Sequence, residues 1–326
     1  MHRLLHHPLH RLLLAAAVLA ASLQADAQSD FPSRPITMLV GFAPGGAADV
    51  TARIIAKKLS DQMGQPVTVE NKGGAGGNIV HQQLAGLPPD GYTILLGSVG
   101  PLAISPHFGA KLGYDPLKDF APLSMAAMFS QVLLVPGSLP VKDIKEYIAL
   151  AKKQSVDFAS SGIGSIPHLA GELLNQEAKV QIVHIPYKGG GAAVTDLLSG
   201  RVNSLYGSPA TAAPYLESGR MRAIAVTGAK RSPFMPTVPT IAEQGYPGAV
   251  AENWYAFIAP AKVPAPILER WNRELVKALS APDVKEQMAK HFLEPNPSTR
   301  EELGAYIRKE YEMWGKVIKS AGIKGE

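Results

Sequence analysis

Short apolar runs alternate with amphipathic stretches along most of this chain. The run from Ile36 to Val40 is followed by Val50, Ile54, Ile55 and Leu59, apolar positions at helical spacing. That order predicts a strand and then a helix over residues 50–63. The same alternation predicts a strand at 67–70 with a helix near 79–86, a strand at 92–97, and a strand at 132–135 with a helix over 141–153. A strand at 157–159 leads to a helix running through Asn175, and the apolar run 180–185 leads to Val194, Leu197 and Leu198. From Pro266 to Lys319 the period is helical, broken at 281–283 and 295–299, which predicts two or three helices. Strand and helix in alternation predict an α/β fold with mostly parallel sheets. Residues 87–91, 111–120 and 231–239 read as loops.

Two of the strand-to-helix junctions carry nearly the same phrase. One is Phe42-Ala43-Pro44-Gly45-Gly46-Ala47-Ala48-Asp49-Val50; the other is Tyr187-Lys188-Gly189-Gly190-Gly191-Ala192-Ala193-Val194-Thr195-Asp196. A glycine loop that opens a helix leaves free backbone N–H groups at the positive end of the helix dipole, which suits an anion. Residues 72–78 and 160–165 are further glycine-rich junctions. In parallel sheets such loops gather at the carboxyl ends of the strands, so these segments can meet in one cleft. Plainer readings stand beside this one. The glycines also suit tight turns, and Asp49 suits an acceptor for first-turn N–H groups. Lys188 suits a solvated surface position. Ser161, Ser165 and His168 suit a cap and brace for the helix after them, and Trp254 and Tyr255 suit core or hinge packing.

Composition narrows the setting. Arg3 and Arg11 flank a His-rich start, residues 12–21 form a short apolar core, and Ala25-Asp26-Ala27 fits a small-x-small cleavage site. Residues 1–27 therefore read as an export signal, too short in its apolar part to span a bilayer. The mature chain carries 30 Lys and Arg against 26 Asp and Glu, without a basic run or stripe, which argues against nucleic acid. The absence of cysteine excludes a disulfide framework, thiolate chemistry and cysteine-bound metals. A mature chain of this length can bury a large core without such staples and suggests two domains.

Enzyme and cofactor motifs fail one by one. Residues 74–79 and 189–194 lack the final glycine of a dinucleotide fingerprint, and no phosphate-binding G-x-x-x-x-G-K-[ST] occurs. There is no G-x-S-x-G elbow and no H-E-x-x-H. His81, His107, His168, His184 and His291 lack ligand spacing. The chain is thus expected to be no enzyme and to hold no metal or cofactor.

These motifs, in this order, resemble the solute-binding receptors of tripartite tricarboxylate transporters, also called Bug receptors. The likeness rests on Phe31-Pro32-Ser33-Arg34-Pro35-Ile36, the Phe42–Gly46 phrase with Asp49 and Ala52-Arg53, residues 70–78, and Pro89-Asp90-Gly91-Tyr92-Thr93. It continues through residues 114–122, Ser161-Gly162-Ile163-Gly164-Ser165 with His168 to Leu173, Pro186-Tyr187-Lys188-Gly189, residues 222–227, and Trp254-Tyr255 with Ala259-Pro260. It covers nearly the whole mature chain. The resemblance implies a two-lobed periplasmic binding protein of type II, a Venus flytrap that is soluble and monomeric. Its lobes would be 28–127 plus 254–326, and 128–253. It implies a small organic carboxylate held by Phe42, Ala43, Pro44, Gly45, Gly46 and Asp49 from one lobe and by Tyr187, Lys188, Gly189 and Gly190 from the other. Ser98, Ser161, Gly162, Gly164, Ser165, His168 and Ser208 would line the rest. The ligand would pass to transporter membrane subunits on separate chains. Two other roles fit the same residues: a periplasmic sensor feeding a membrane kinase, and an exported enzyme acting on carboxylates. The chain departs from the family at Gly207, where members often carry Asp, and at Pro101 and Ser105, where Thr and Asn are frequent. The missing acid at Gly207 points to a ligand without an amino group.

Overall fold

The protein is described here from a computed structural model over residues 31–109 and 111–324. The export signal expected at 1–27 lies outside the described residues. The first strands and helices are β1 (Ile36–Val40), α1 (Ala47–Met63), β2 (Val67–Asn71), α2 (Asn78–Ala85) and β3 (Thr93–Ser98). Then come β4 (Phe120–Ser130), β5 (Val132–Pro136), α3 (Ile144–Ala151), β6 (Asp157–Ser160), α4 (Ile166–Ala178) and β7 (Val183–Pro186). The chain continues through α5 (Gly190–Leu198), β8 (Ser204–Gly207), α6 (Pro209–Leu216), β9 (Met221–Val226) and β10 (Glu252–Pro260). It ends with α7 (Ala265–Ser280), α8 (Pro282–Ala289), β11 (Glu294–Pro295) and α9 (Arg300–Ala321).

The alternation places these elements well, with local shifts. Helix α1 starts at Ala47 rather than 50, because Gly46 is extended and caps it directly, and Ala47 and Ala48 pack in the core. The C-terminal region forms three helices. Its break at residue 281 comes from Ala281 in an extended conformation ahead of Pro282. Thr299 opens α9 with a reciprocal capping box to Glu302.

The strands form two sheets, in the orders β11-β4-β10-β3-β1-β2 and β7-β6-β8-β5-β9. Parallel pairing joins β1 to β2 and β3, and β6 to β7 and β8, the segments where strand and helix alternate. The strands nearest the passages between the sheets, β4, β5 and β10, pair antiparallel. The sheets are therefore mixed rather than mostly parallel. The architecture is two α/β lobes. Leu59, Trp271 and Leu275 lie in one cluster that covers a face of the first sheet, and Val194, Leu197 and Leu205 lie in a cluster of the second lobe. A third cluster runs from Leu84, Leu95 and Trp254 to Tyr147, Phe158 and Leu169, so it spans both lobes.

The chain leaves the first sheet at Gln131 and returns between Val226 and Glu252. Thr227 laces these passages together. Its hydroxyl donates to the Ala251 carbonyl at 2.6 Å and accepts the Gln131 N–H at 3.0 Å. Its backbone N–H donates to the Gln131 carbonyl at 2.9 Å and its carbonyl accepts the Ala251 N–H at 2.8 Å. Thr227 is fully buried, so Thr227→Val keeps the shape but strands two backbone groups away from water. We predict a loss of about 2–4 kcal/mol in urea unfolding, since each stranded group costs about 1–3 kcal/mol. A loss below 0.5 kcal/mol would show that this lacing is dispensable.

Candidate functional site

The carboxyl ends of β1, β3, β6 and β8 lead into one narrow cleft between the lobes. Phe42, Ser98, Ser161, Gly207 and Ser208 line it from those strand ends, and Gln131, Asn253 and Tyr255 line it from the passages between lobes. Four helices also open on it: α1 at Gly46, Ala47 and Ala48, α4 at Ser165, Ile166 and Pro167, α5 at Gly190, and α6 at Ser208 and Thr211. Each helix start carries backbone N–H groups without intrahelical partners and roughly half a positive charge. Among the described residues no charged side chain and no histidine lines the cleft. Its polarity comes from helix ends, hydroxyls and amides. Among the described residues no cluster of three or more metal-type side chains occurs.

Of the residues named from sequence, Phe42, Gly46, Ser98, Ser161, Ser165, Gly190 and Ser208 line the cleft together. The others stand behind it or at its rim. Asp49 is 4% exposed and braces the first loop: its carboxylate accepts the Gly45 N–H, Arg53 Nε and Asn71 Nδ2, each at 3.0 Å. Burial raises the Asp49 pKa, but these bonds from Arg53, Gly45 and Asn71 together hold it below the ordinary carboxylate value. Ala43 donates its N–H to the Lys188 carbonyl at 3.1 Å, a direct bond between lobes. Pro44, Gly45 and the Lys188 side chain are exposed at the rim. Tyr187 turns to Asp196 at 2.7 Å, and Gly189 caps α5. The carbonyl of Gly162 accepts from Ser165 Oγ at 2.6 Å, and Gly164 donates its N–H to His168 Nδ1 at 3.2 Å. Sequence reasoning missed Gln131, Asn253, Tyr206 and Thr211 as lining residues and took Tyr255 as packing. None of them sits in a glycine loop. At Gly207 an added Cβ would lie 3.1 Å from Leu134 Cδ1 and 3.4 Å from Thr211 Oγ1, so an acidic side chain there would press on the cleft wall.

The rim is closed by backbone against backbone. A Cβ on Gly76 would strike the Ile163 carbonyl, and one on Gly100 would come within 2.7 Å of the Gly164 carbonyl. The glycines at these two positions let the lobes meet.

The comparisons with known proteins agree with this geometry. The model of the tripartite tricarboxylate transporter family receptor matches residues 51–323. The chain belongs to that family. It is 38% identical to the protein BugT of Bordetella pertussis, over 90% of this chain and 91% of BugT. The structure of the periplasmic binding protein BugD superposes with a TM-score of 0.87 at 34% identity, covering 91% of this chain and all of that one. The structure of Rpa4515 of R. palustris with adipate superposes with a TM-score of 0.86 at 34% identity, covering 90% of this chain and 99% of that one. The fold is thus the two-lobed type II fold of periplasmic binding proteins. The family and these neighbours are binding proteins. No helix among the described residues of this receptor is long and apolar enough to cross a membrane.

Behind the 160–165 loop of this receptor lies a buried polar stack. The rings of His168 and His184 stack 4.2 Å apart, and Phe158 stacks on His184 at 5.0 Å. His184 Nε2 meets Ser160 Oγ at 2.6 Å, and Ser160 Oγ accepts the Gly162 N–H at 3.0 Å. His168 must stay unprotonated at Nδ1 to accept from Gly164. The loop that carries Ser161 and Ser165 to the cleft is therefore fixed by two neutral imidazoles. Burial drives His168 down to about 4; burial and the charge His168 would carry drive His184 down to about 3. His81 is held at about 4 by burial alone, against a hydrogen bond to Gly77 that raises it.

Two expectations follow from this arrangement. The unfolded chain binds protons at these histidines near pH 6.5, whereas the folded protein does not until about pH 3–4. Their stabilising effect is full above pH 6.5 and fades as pH falls from there to about 3. Urea midpoints measured from pH 8 to 4 should begin to drop near 6.5. A flat profile down to pH 5 would contradict it. Second, Gly100→Ala should fold with a melting temperature near that of the parent, because Gly100 lies in a helical turn that accepts alanine. It should hold the lobes apart, so calorimetric affinity for the ligand falls at least tenfold and small-angle scattering shows no compaction on ligand addition. Normal compaction would remove the rim contact from the closing step.

Proposed function

We propose that this chain captures a small organic carboxylate between its lobes and delivers it to membrane subunits of a tripartite tricarboxylate-type transporter carried on separate chains. The observation that carries this reading is the convergence of four helix starts on a cleft that, among the described residues, holds no charged side chain. Such a site favours an anion through N–H donors, and excluding water strengthens every one of those bonds. The adipate bound to Rpa4515 supports a carboxylate as the anion. With no acidic group in the cleft to pair an ammonium, the reading favours acids without an amino group.

In this reading the chain is exported, cleaved near Ala27, and works as a monomer in the periplasm. Residues 28–127 with 254–326 and residues 128–253 act as lobes that swing about Gln131 and the 227–252 return. The chain performs no catalysis, in keeping with the missing nucleophile, nucleotide and metal motifs. The two glycine loops act unequally. The first offers the cleft its helix start directly, and the second offers Gly190 while its Lys188 carbonyl holds the opposite rim.

A thermal-shift screen against organic acids tests the reading, because a ligand that binds only the native state raises the melting temperature. At 100 times its Kd the expected gain is about 2.7 kcal/mol of stability. Mass spectrometry of whatever copurifies should show an acid of the same class. Stabilisation by amino acids over their deaminated analogues, or turnover of a bound acid, would overturn the proposal.

A further inference from the structure

The inner wall of the cleft is built of neutral hydrogen-bonding groups rather than helix ends. Gln131, 2% exposed, stands where the chain passes from β4 to β5. Its backbone is fully engaged by Thr227, donating at 3.0 Å and accepting at 2.9 Å. Its side-chain amide makes no hydrogen bond to the protein among the described residues, and the residue lines the cleft. Asn253, 6% exposed, lines the same cleft from β10. Its neighbour Trp254 turns to the other side of the sheet, where its Nε1 donates to Glu310 at 3.1 Å, so strand alternation turns Asn253 and Tyr255 together toward the cleft. A hydrogen bond from Asn253 to the Tyr255 phenol leaves most of the amide's bonding capacity unused. Ser98, opposite Tyr255 in the β3–β10 register, is 4% exposed, and its Oγ has no partner.

Buried polar groups are nearly always paired, and an unpaired one costs free energy. The Ser98 hydroxyl is such an unpaired buried group, and the two amides open on the cleft with it, so together they point to a group that arrives with the ligand. Their chemistry limits what that group is. Each amide offers both donors and an acceptor, and a serine hydroxyl offers one donor and two lone pairs. A carboxylate has only acceptors and would face the amide oxygens badly. A hydroxyl, which donates one hydrogen bond and accepts others, matches the mixture; a keto oxygen, like a carboxylate, only accepts.

We propose that Ser98, Gln131 and Asn253 form a specificity subsite that hydrogen-bonds a hydroxyl substituent on the carbon chain of the ligand. This rests on the carboxylate reading above and narrows it to substituted acids. A site built to bond such an oxygen discriminates strongly against the analogue lacking it, because its own polar groups are then left unpaired. The subsite also spans the structure in a useful way. Gln131 belongs to one passage between the lobes and Asn253 borders the other, so the substituent bridges the two.

The test uses matched pairs of acids that differ by one hydroxyl: succinate with malate, glutarate with 2-hydroxyglutarate, and phenylacetate with mandelate. Calorimetry on the full mature chain gives the affinity ratio within each pair. In the parent, the best-binding pair should favour the substituted acid about tenfold or more. In Gln131→Met that ratio should fall below threefold. The ratio is the readout, so a general loss of binding cancels. Asn253→Leu and Ser98→Ala provide the same measurement if Gln131→Met does not fold. Binding without a substituent preference in the parent, or a preference that survives the substitutions, overturns the subsite alone. Failure of every acid in the panel to bind overturns the carboxylate reading and the subsite with it.

Discussion

Unpaired backbone N–H groups at helix starts govern this structure. A helix cannot satisfy its first N–H groups internally. Most proteins cap them or leave them to water. Here α1 and α4 begin at Gly46 and Ser165, and neither makes a side-chain capping bond. Gly189 at the start of α5 has no side chain with which to cap. Of the four helices that open on the cleft, only α6 has a side-chain cap, with Ser208 accepting from Thr211. The groups that would otherwise be capped face the cleft. This explains why the loops are glycine and alanine, why the strands end where they do, and why Asp49 and Arg53 lie behind the loop. Their charges set loop shape from outside and leave the cleft itself uncharged.

A site made of backbone has a mechanical consequence. Side chains can reach across a gap, but N–H groups cannot, so the lobes must come within backbone distance of each other. The Ala43–Lys188 bond and the close approaches at Gly76 and Gly100 are the geometric result. The passages between lobes are correspondingly firm. Thr227 and Gln131 exchange bonds in both directions, and Thr227 and Ala251 do the same.

Much of this was legible in the sequence because it is local. The strand, glycine and helix phrases name the loops, and Phe42, Gly46, Ser161, Ser165 and Gly190 from them do line the cleft, while Ser98 and Ser208 came only through the family resemblance. What escaped is non-local. Strand β4 reads Phe-Ala-Pro-Leu-Ser-Met-Ala-Ala-Met-Phe-Ser, mostly small or apolar on both faces, so it shows no alternation from which to predict a strand. Strand β10 shows its two faces only once Trp254 is known to reach Glu310, 56 residues away. Gln131 lies between two apolar strands and carries no motif. Its place in the cleft depends on the chain changing sheets there, which pairing fixes and spacing does not. Likewise His168 and His184 lack ligand spacing, yet pairing of β6 with β7 brings their rings to 4.2 Å.

The division of labour between helix ends and inner wall also explains how one fold can serve many acids. Helix-end N–H groups recognise a carboxylate by charge and geometry, whatever chain it carries. They hold regardless of side-chain identity so long as the glycines remain. Discrimination must then come from positions free to change without disturbing that grip. Gln131 and Asn253 are such positions: they line the cleft, yet neither of them begins a helix. An acidic residue at 207 would add a place for an ammonium, and its absence leaves neutral amides and hydroxyls to choose the ligand. In the proposed reading, affinity for the anion and selectivity among anions rest on different atoms. That is why the loops can look alike between the lobes while the wall between them carries the individuality of the chain.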